Sequence, residues 1–92
     1  MDLNLKPVQQ ADKWQRNLDS IIIYSSVDNK EYVLNTVAAR IWELSNGKLN
    51  ISEIVTSISQ TFEMSEQNVK DDVISFISRL VKAGLITLEE VS

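Results

Sequence analysis

The 92-residue chain has no cysteine, no histidine, one proline and two glycines. Without cysteine there are no disulfides, thiolate nucleophiles or zinc–thiolate sites. Without histidine the usual general base and the commonest metal ligand are missing as well. Carboxylates alone remain for a metal or acid–base site, and their spacing favours neither. Asp71-Asp72 and Glu89-Glu90 are adjacent pairs, and neighbours on a helix point away from each other. They read as solvated surface acids. No catalytic residue, metal or cofactor is expected, and the chain does not read as an enzyme. So few glycines and prolines also argue against an all-β fold, which needs many turns.

Long apolar runs are lacking too. The longest, Ile21-Ile22-Ile23-Tyr24, is far too short to cross a bilayer. No N-terminal charged-then-apolar segment with a small-residue cleavage site is present, so a cytoplasmic protein away from membranes is expected. The net charge of −4 would repel a phosphate-bearing partner, which argues against nucleic acid. A hydrophobic content of 43% with 24% charged residues is ordinary for a globular protein. The length suits a single domain over residues 1–92 with one compact core.

Two hydrophobic periods divide the chain. Residues 1–13 alternate briefly at Leu3 and Leu5 before Pro7, the pattern of a frayed arm or an edge strand, because proline cannot donate inside a ladder. Trp14 to Leu18 could add a short extended piece with its indole on the core. Ser20–Ser26 is β-branched and aromatic, Asp28-Asn29 supplies turn residues, and Lys30–Leu34 resumes as a strand. The two strands read as an antiparallel hairpin. Alternation sends Tyr32 and Leu34 inward with Lys30, and Glu31 and Val33 outward.

Helical spacing begins after Asn35, a good N-cap. Val37, Ala38, Ile41, Trp42 and Leu44 form the first apolar stripe, and Asn46-Gly47 is the expected stop. Asn50 with Glu53 fits a capping box ahead of a second stripe, Ile51, Ile54, Val55, Ile58 and Phe62. Ser65 caps the third and longest helix, Gly84 ends it, and Leu85 to Glu90 could close as a strand. The fold class is α+β: a small winged-helix-like domain with an N-terminal β-hairpin or three-stranded sheet followed by three helices.

The third helix carries more apolar surface than a small core requires. Val69, Val73, Phe76 and Leu80 make one core stripe, with polar Asp72, Ser75 and Arg79 beside it. On the opposite flank Ile74, Ile77 and Val81 widen the apolar arc around Lys70, with Ser78 at the rim. The hairpin or the N-terminal arm could cover this flank. Alternatively it walls a groove whose other side is the strand Lys30–Leu34. An unpaired strand edge there would offer free N–H and C=O groups to an extended peptide.

Residues 20–87 resemble the pyrroloquinoline-quinone biosynthesis protein D (PqqD) family. The pattern is Leu34-Asn35, Ala38 or Ala39, Ile41-Trp42-x-Leu44, Asn46-Gly47 and Ile54, then Asp72-Val73, Phe76, and Leu80 ahead of Gly84-Leu85-Ile86. The resemblance implies a winged-helix-like domain that recognises precursors of ribosomally made, post-translationally modified peptides. It implies a non-catalytic peptide chaperone whose partners are a precursor leader peptide and a modifying enzyme, either a radical-SAM enzyme or a lasso-type protease or cyclase. The leader would add as a strand beside Lys30, Glu31, Tyr32, Val33 and Leu34. On the other side, the helical-wheel argument selects Lys70, Ile74, Ser78 and Val81. Val27-Asp28-Asn29-Lys30 stands where quinone-pathway members carry a Pro-Glu-Gly-like turn, and is more similar to members serving lasso-peptide or radical-enzyme maturation.

Two other readings compete. Three helices and a hairpin would suit a DNA-binding winged helix, but the second helix shows the groove only Ser52, Glu53, Thr56, Ser57, Ser59 and Gln60. In the third, Lys70, Arg79 and Lys82 are countered by Glu66, Asp71 and Asp72. A homodimeric structural module could instead close the apolar flank on a second copy.

Overall fold

The computed structural model describes residues 1–90. Its elements follow the expected order: β1 (Lys6–Gln9), β2 (Lys13–Asn17), β3 (Ser20–Ser25), β4 (Lys30–Leu34), α1 (Thr36–Leu44), α2 (Ile51–Phe62), α3 (Glu66–Lys82) and β5 (Ile86–Glu89). Strands β2, β3 and β4 form an antiparallel sheet with β3 in the middle, and three helices follow it in an α+β arrangement.

The N-terminal arm is not frayed. Strand β1 pairs antiparallel with β5, placing Pro7 opposite Leu88 and Val8 opposite Thr87. Its other side meets the α1–α2 connection, where Gly47 N–H donates to the Pro7 carbonyl at 3.0 Å. Gly47 holds φ at 82°, and a Cβ there would sit 3.3 Å from Val8 Cγ2. Both the left-handed backbone and the close approach therefore select glycine. The chain ends are thus joined, which the brief Leu3–Leu5 alternation could not show.

Alternation along β3 buries Ile21, Ile23 and Ser25. Register places Leu34 opposite Ile21 and Tyr32 opposite Ile23, so the inward face of β4 is the one the sequence predicts. Helix α1 lies against this face and buries Trp42 completely. Trp14 of β2 meets the Trp42 ring edge-on, with centroids 6.1 Å apart, a geometry aromatic quadrupoles favour. An Arg16–Glu43 ion pair adds a second tie between β2 and α1.

Asn35 caps α1 by accepting from Ala38 N–H at 2.9 Å. The helix stops at Leu44, earlier than the Asn46-Gly47 signal suggests. Ser45 is its C-cap, and the Ser45 hydroxyl donates to the Ile41 carbonyl at 2.8 Å. Its fully buried residues are Ala39, Ile41 and Trp42, so Ala38, expected in the core stripe, is left half-exposed. In α2 the capping box is complete: Glu53 N–H donates to Asn50 Oδ1 at 2.8 Å, and Asn50 N–H donates to Glu53 Oε1 at 3.0 Å. Helix α3 buries Val69, Val73, Phe76, Ile77 and Leu80. Ile77 belongs to its core, which narrows the extra apolar flank.

Because both bonds of the box depend on the Asn50 side chain or its fixed geometry, Asn50→Ala should destabilise the domain by about 1 kcal/mol. Urea unfolding checks this through a lower midpoint at unchanged slope.

Candidate functional site

Strand β4 is hydrogen-bonded to β3 along one side only. The N–H and C=O groups on its other side have no strand to receive them among the described residues. Strand β2 is the sheet's second open edge, but all five of its residues are exposed. It carries Lys13 and Arg16, charges of the kind that discourage edge pairing.

The edge of β4 has a cleft at its end. Helix α3 packs on α2 and β5, whereas β4 packs on β3 and α1, and the division leaves a depression of about 340 Å³. Asn35 closes it at the strand end. Val37, Ala38 and Ile41 come from α1, Met64 from the α2–α3 turn, and Asp72 and Phe76 from α3. Ala38 is small enough to leave space, and methionine adapts its shape to whatever enters. The lining is apolar apart from Asn35 and the Asp72 carboxylate. Five of these seven residues (Asn35, Ala38, Ile41, Asp72 and Phe76) stand in the sequence pattern that carries the family resemblance.

The expected strand residues are arranged as alternation requires. Leu34 is buried and Tyr32 half-buried on the inner face. Glu31 and Val33, the latter 68% exposed, occupy the outer face. Lys30 lies at the hairpin end, where its N–H donates to Asp28 Oδ1 at 3.2 Å. The other Asp28 oxygen accepts from the Tyr32 hydroxyl at 2.7 Å. The shared hydrogen bond stabilises the carboxylate and ties up the phenol proton. The Tyr32 hydroxyl is therefore the main cause holding the Asp28 pKa below the ordinary carboxylate value. Asp28 likewise pushes Tyr32 above the usual phenol range.

Lys70, Ile74, Ser78 and Val81, expected from helical spacing, do not line this cleft. Lys70 lines a separate depression of about 290 Å³ with Leu3, Ser52, Val55, Thr56, Glu66 and Gln67. That is the α2 side of α3. Ile74 and Val81 follow Lys70 at i+4 and i+11 and share its flank; Ile74 is half-buried and Val81 36% exposed. Ser78, eight positions on from Lys70, is half-buried. The flank of α3 that meets Asn35, just after β4, carries Asp72 and Phe76, with Arg79 at i+7 from Asp72 on the same flank. The Arg79 charge acts weakly against the rise in the Tyr32 pKa. In the sequence Asp72, Ser75 and Arg79 mark this side of the core stripe as polar, and Phe76 counts with the core.

Among the described residues, no group of three or more acidic, histidine or cysteine side chains comes together to hold a metal. No helix there is long and apolar enough to cross a membrane.

Residues 20–86 match the family described as Coenzyme PQQ synthesis protein D (PqqD). A solved structure, TbiB1 in complex with the TbiA(beta) leader peptide, shares the fold with a TM-score of 0.70 at 22% identity. The alignment covers 100% of this chain and 99% of that one. A search of curated proteins finds no match.

The stabilisation from the Asp28–Tyr32 pair is present above the ordinary carboxylate pKa and is lost as pH falls through the depressed value. Tyr32→Phe should raise the Asp28 pKa toward the ordinary carboxylate value. A carboxyl-carbon NMR titration reads the change directly.

Proposed function

Because the chain belongs to the PqqD family, we propose that it recognises the leader of a ribosomally made precursor peptide and holds it for a modifying enzyme. The leader adds as a strand along the open edge of β4, contributed by Lys30, Glu31, Tyr32, Val33 and Leu34. Side chains on the inward-pointing alternate positions enter the Ala38–Met64–Phe76 cleft. The carrying observation is that the open edge of β4 runs directly into Asn35, which closes an apolar cleft between α1 and α3. A protein of this fold, TbiB1, has been solved with a leader peptide, which supports the same use here.

The energetics suit a transient carrier. Each main-chain hydrogen bond exchanged from water to β4 contributes about 0.5–1.5 kcal/mol net. Burying one large apolar side chain in the cleft adds about 1.5–3 kcal/mol. Ordering a disordered tail takes back several kcal/mol, so the cleft decides whether binding is useful. Strand addition is also indifferent to most side chains, so sequence selection comes from the cleft. The domain contributes no chemistry of its own in this reading. It raises the local concentration of the attached core peptide at a partner enzyme, a radical-SAM enzyme or a lasso-type protease or cyclase.

In this reading the helix wall is the flank of Asp72, Phe76 and Arg79 in place of Lys70, Ile74, Ser78 and Val81. Ala38→Trp fills the cleft and should weaken leader binding by about tenfold or more, with the fold confirmed by circular dichroism. Lys70→Ala, on the α2 side, should change it less than about twofold. Calorimetric titration of the precursor's leader measures both. If Ile74→Ala and Val81→Ala abolish binding while Ala38→Trp leaves it intact, the ligand sits on the other side of α3.

A further inference from the structure

A cation stands beside the cleft, a property that strand addition alone does not require. Asn35, just after β4, lines the cleft with Asp72 and Phe76, and Arg79 lies three residues on from Phe76 along α3. The Asp72 carboxylate is inside the lining, two helical turns before Arg79.

Arg79 is positioned and uncommitted. Its guanidinium carbon stands 5.9 Å from the centroid of the Phe76 ring, a cation–π contact that holds the planar group beside the cleft. Among the described residues the ion pair found is Arg16–Glu43, and Arg79 has no carboxylate partner. The nearby Asp28 carboxylate is already engaged by Tyr32 and the Lys30 N–H. A planar donor fork with no partner, in a protein of net charge −4, is suited to bind a carboxylate from outside.

We propose that Arg79, beside the cleft, reads an acidic side chain, so that the site takes peptides with Asp or Glu two positions from the apolar residue filling the cleft. The inference rests on the peptide-binding reading above and specifies its substrate class. The spacing follows from geometry. Arg79 lies seven residues from Asp72 and three from Phe76, about 10.5 Å and 4.5 Å along the helix axis, a mean offset of about 7.5 Å. In a strand, side chains on one face recur every two residues, about 6.6–6.8 Å. One step along the same face of the bound peptide spans that offset.

The test is selection of random twelve-residue peptides displayed on phage, against the wild-type domain, Arg79→Gln, Arg79→Lys and Ala38→Trp. For the wild type, Asp or Glu should be enriched two positions from a preferred apolar residue. Arg79→Gln should keep the apolar preference and lose the acidic one. Arg79→Lys should retain part of it, because the charge remains while the fork is lost. In a synthetic copy of a selected peptide, Glu→Gln should weaken wild-type binding about fivefold at low salt. The same change should have less than about a twofold effect in Arg79→Gln. Apolar selection with no acidic preference, or an acidic preference unchanged by Arg79→Gln, overturns the inference and leaves the peptide-binding reading standing. Selected peptides whose binding is indifferent to Ala38→Trp, or no selection at all, overturn both.

Discussion

Strand β4 has one edge satisfied and one edge open, and the rest of the molecule is organised around keeping it so. Its register with β3 sets Leu34 beside Ile21 and Tyr32 beside Ile23. Burial of that face against Trp42 of α1 holds the strand in place without help from its other edge. An open edge is a hazard, because any extended chain can add to it. Here the hazard is confined. The edge is five residues long, starts at a turn pinned by Asp28, and ends directly in the Asn35-capped helix.

The same arrangement explains why the two open edges of the sheet differ. Strand β2 lies on the far side of β3 and carries its own covering in Trp14 and Arg16, which reach across to Trp42 and Glu43 of α1. Its inner face is thus occupied by contacts within the fold. At the end of β4 the cleft opens between α1 and α3, and α3 packs on α2 and β5. Joining of β1 to β5 supports that packing, since it anchors the chain just after α3.

The groove can also be understood through Ala38 and Phe76. Ala38 carries too little side chain to fill the space between α1 and α3. Phe76 is buried but still lines the cleft, so it serves the core and the surface together. By helical spacing alone Phe76 belongs to the core stripe, so its second role at the surface is invisible in the residue order.

Local chemistry was legible in the residues themselves. Asn35, Ser65 and the Asn50–Glu53 pair announced the helix starts, and alternation along Lys30–Leu34 assigned its inner face, because caps and pleats depend on near neighbours in the chain. The extra apolar flank of α3 was visible too, though Ile77 proved to be core. What the residue order could not decide was which flank of α3 turns toward β4, that the arm at Lys6–Gln9 closes on Ile86–Glu89, and that α1 ends at Leu44. Those outcomes depend on how whole helices rotate and tilt against one another. Helical periodicity gives the angle of each side chain about its own axis, but only packing against α2 and β5 orients that axis relative to the sheet.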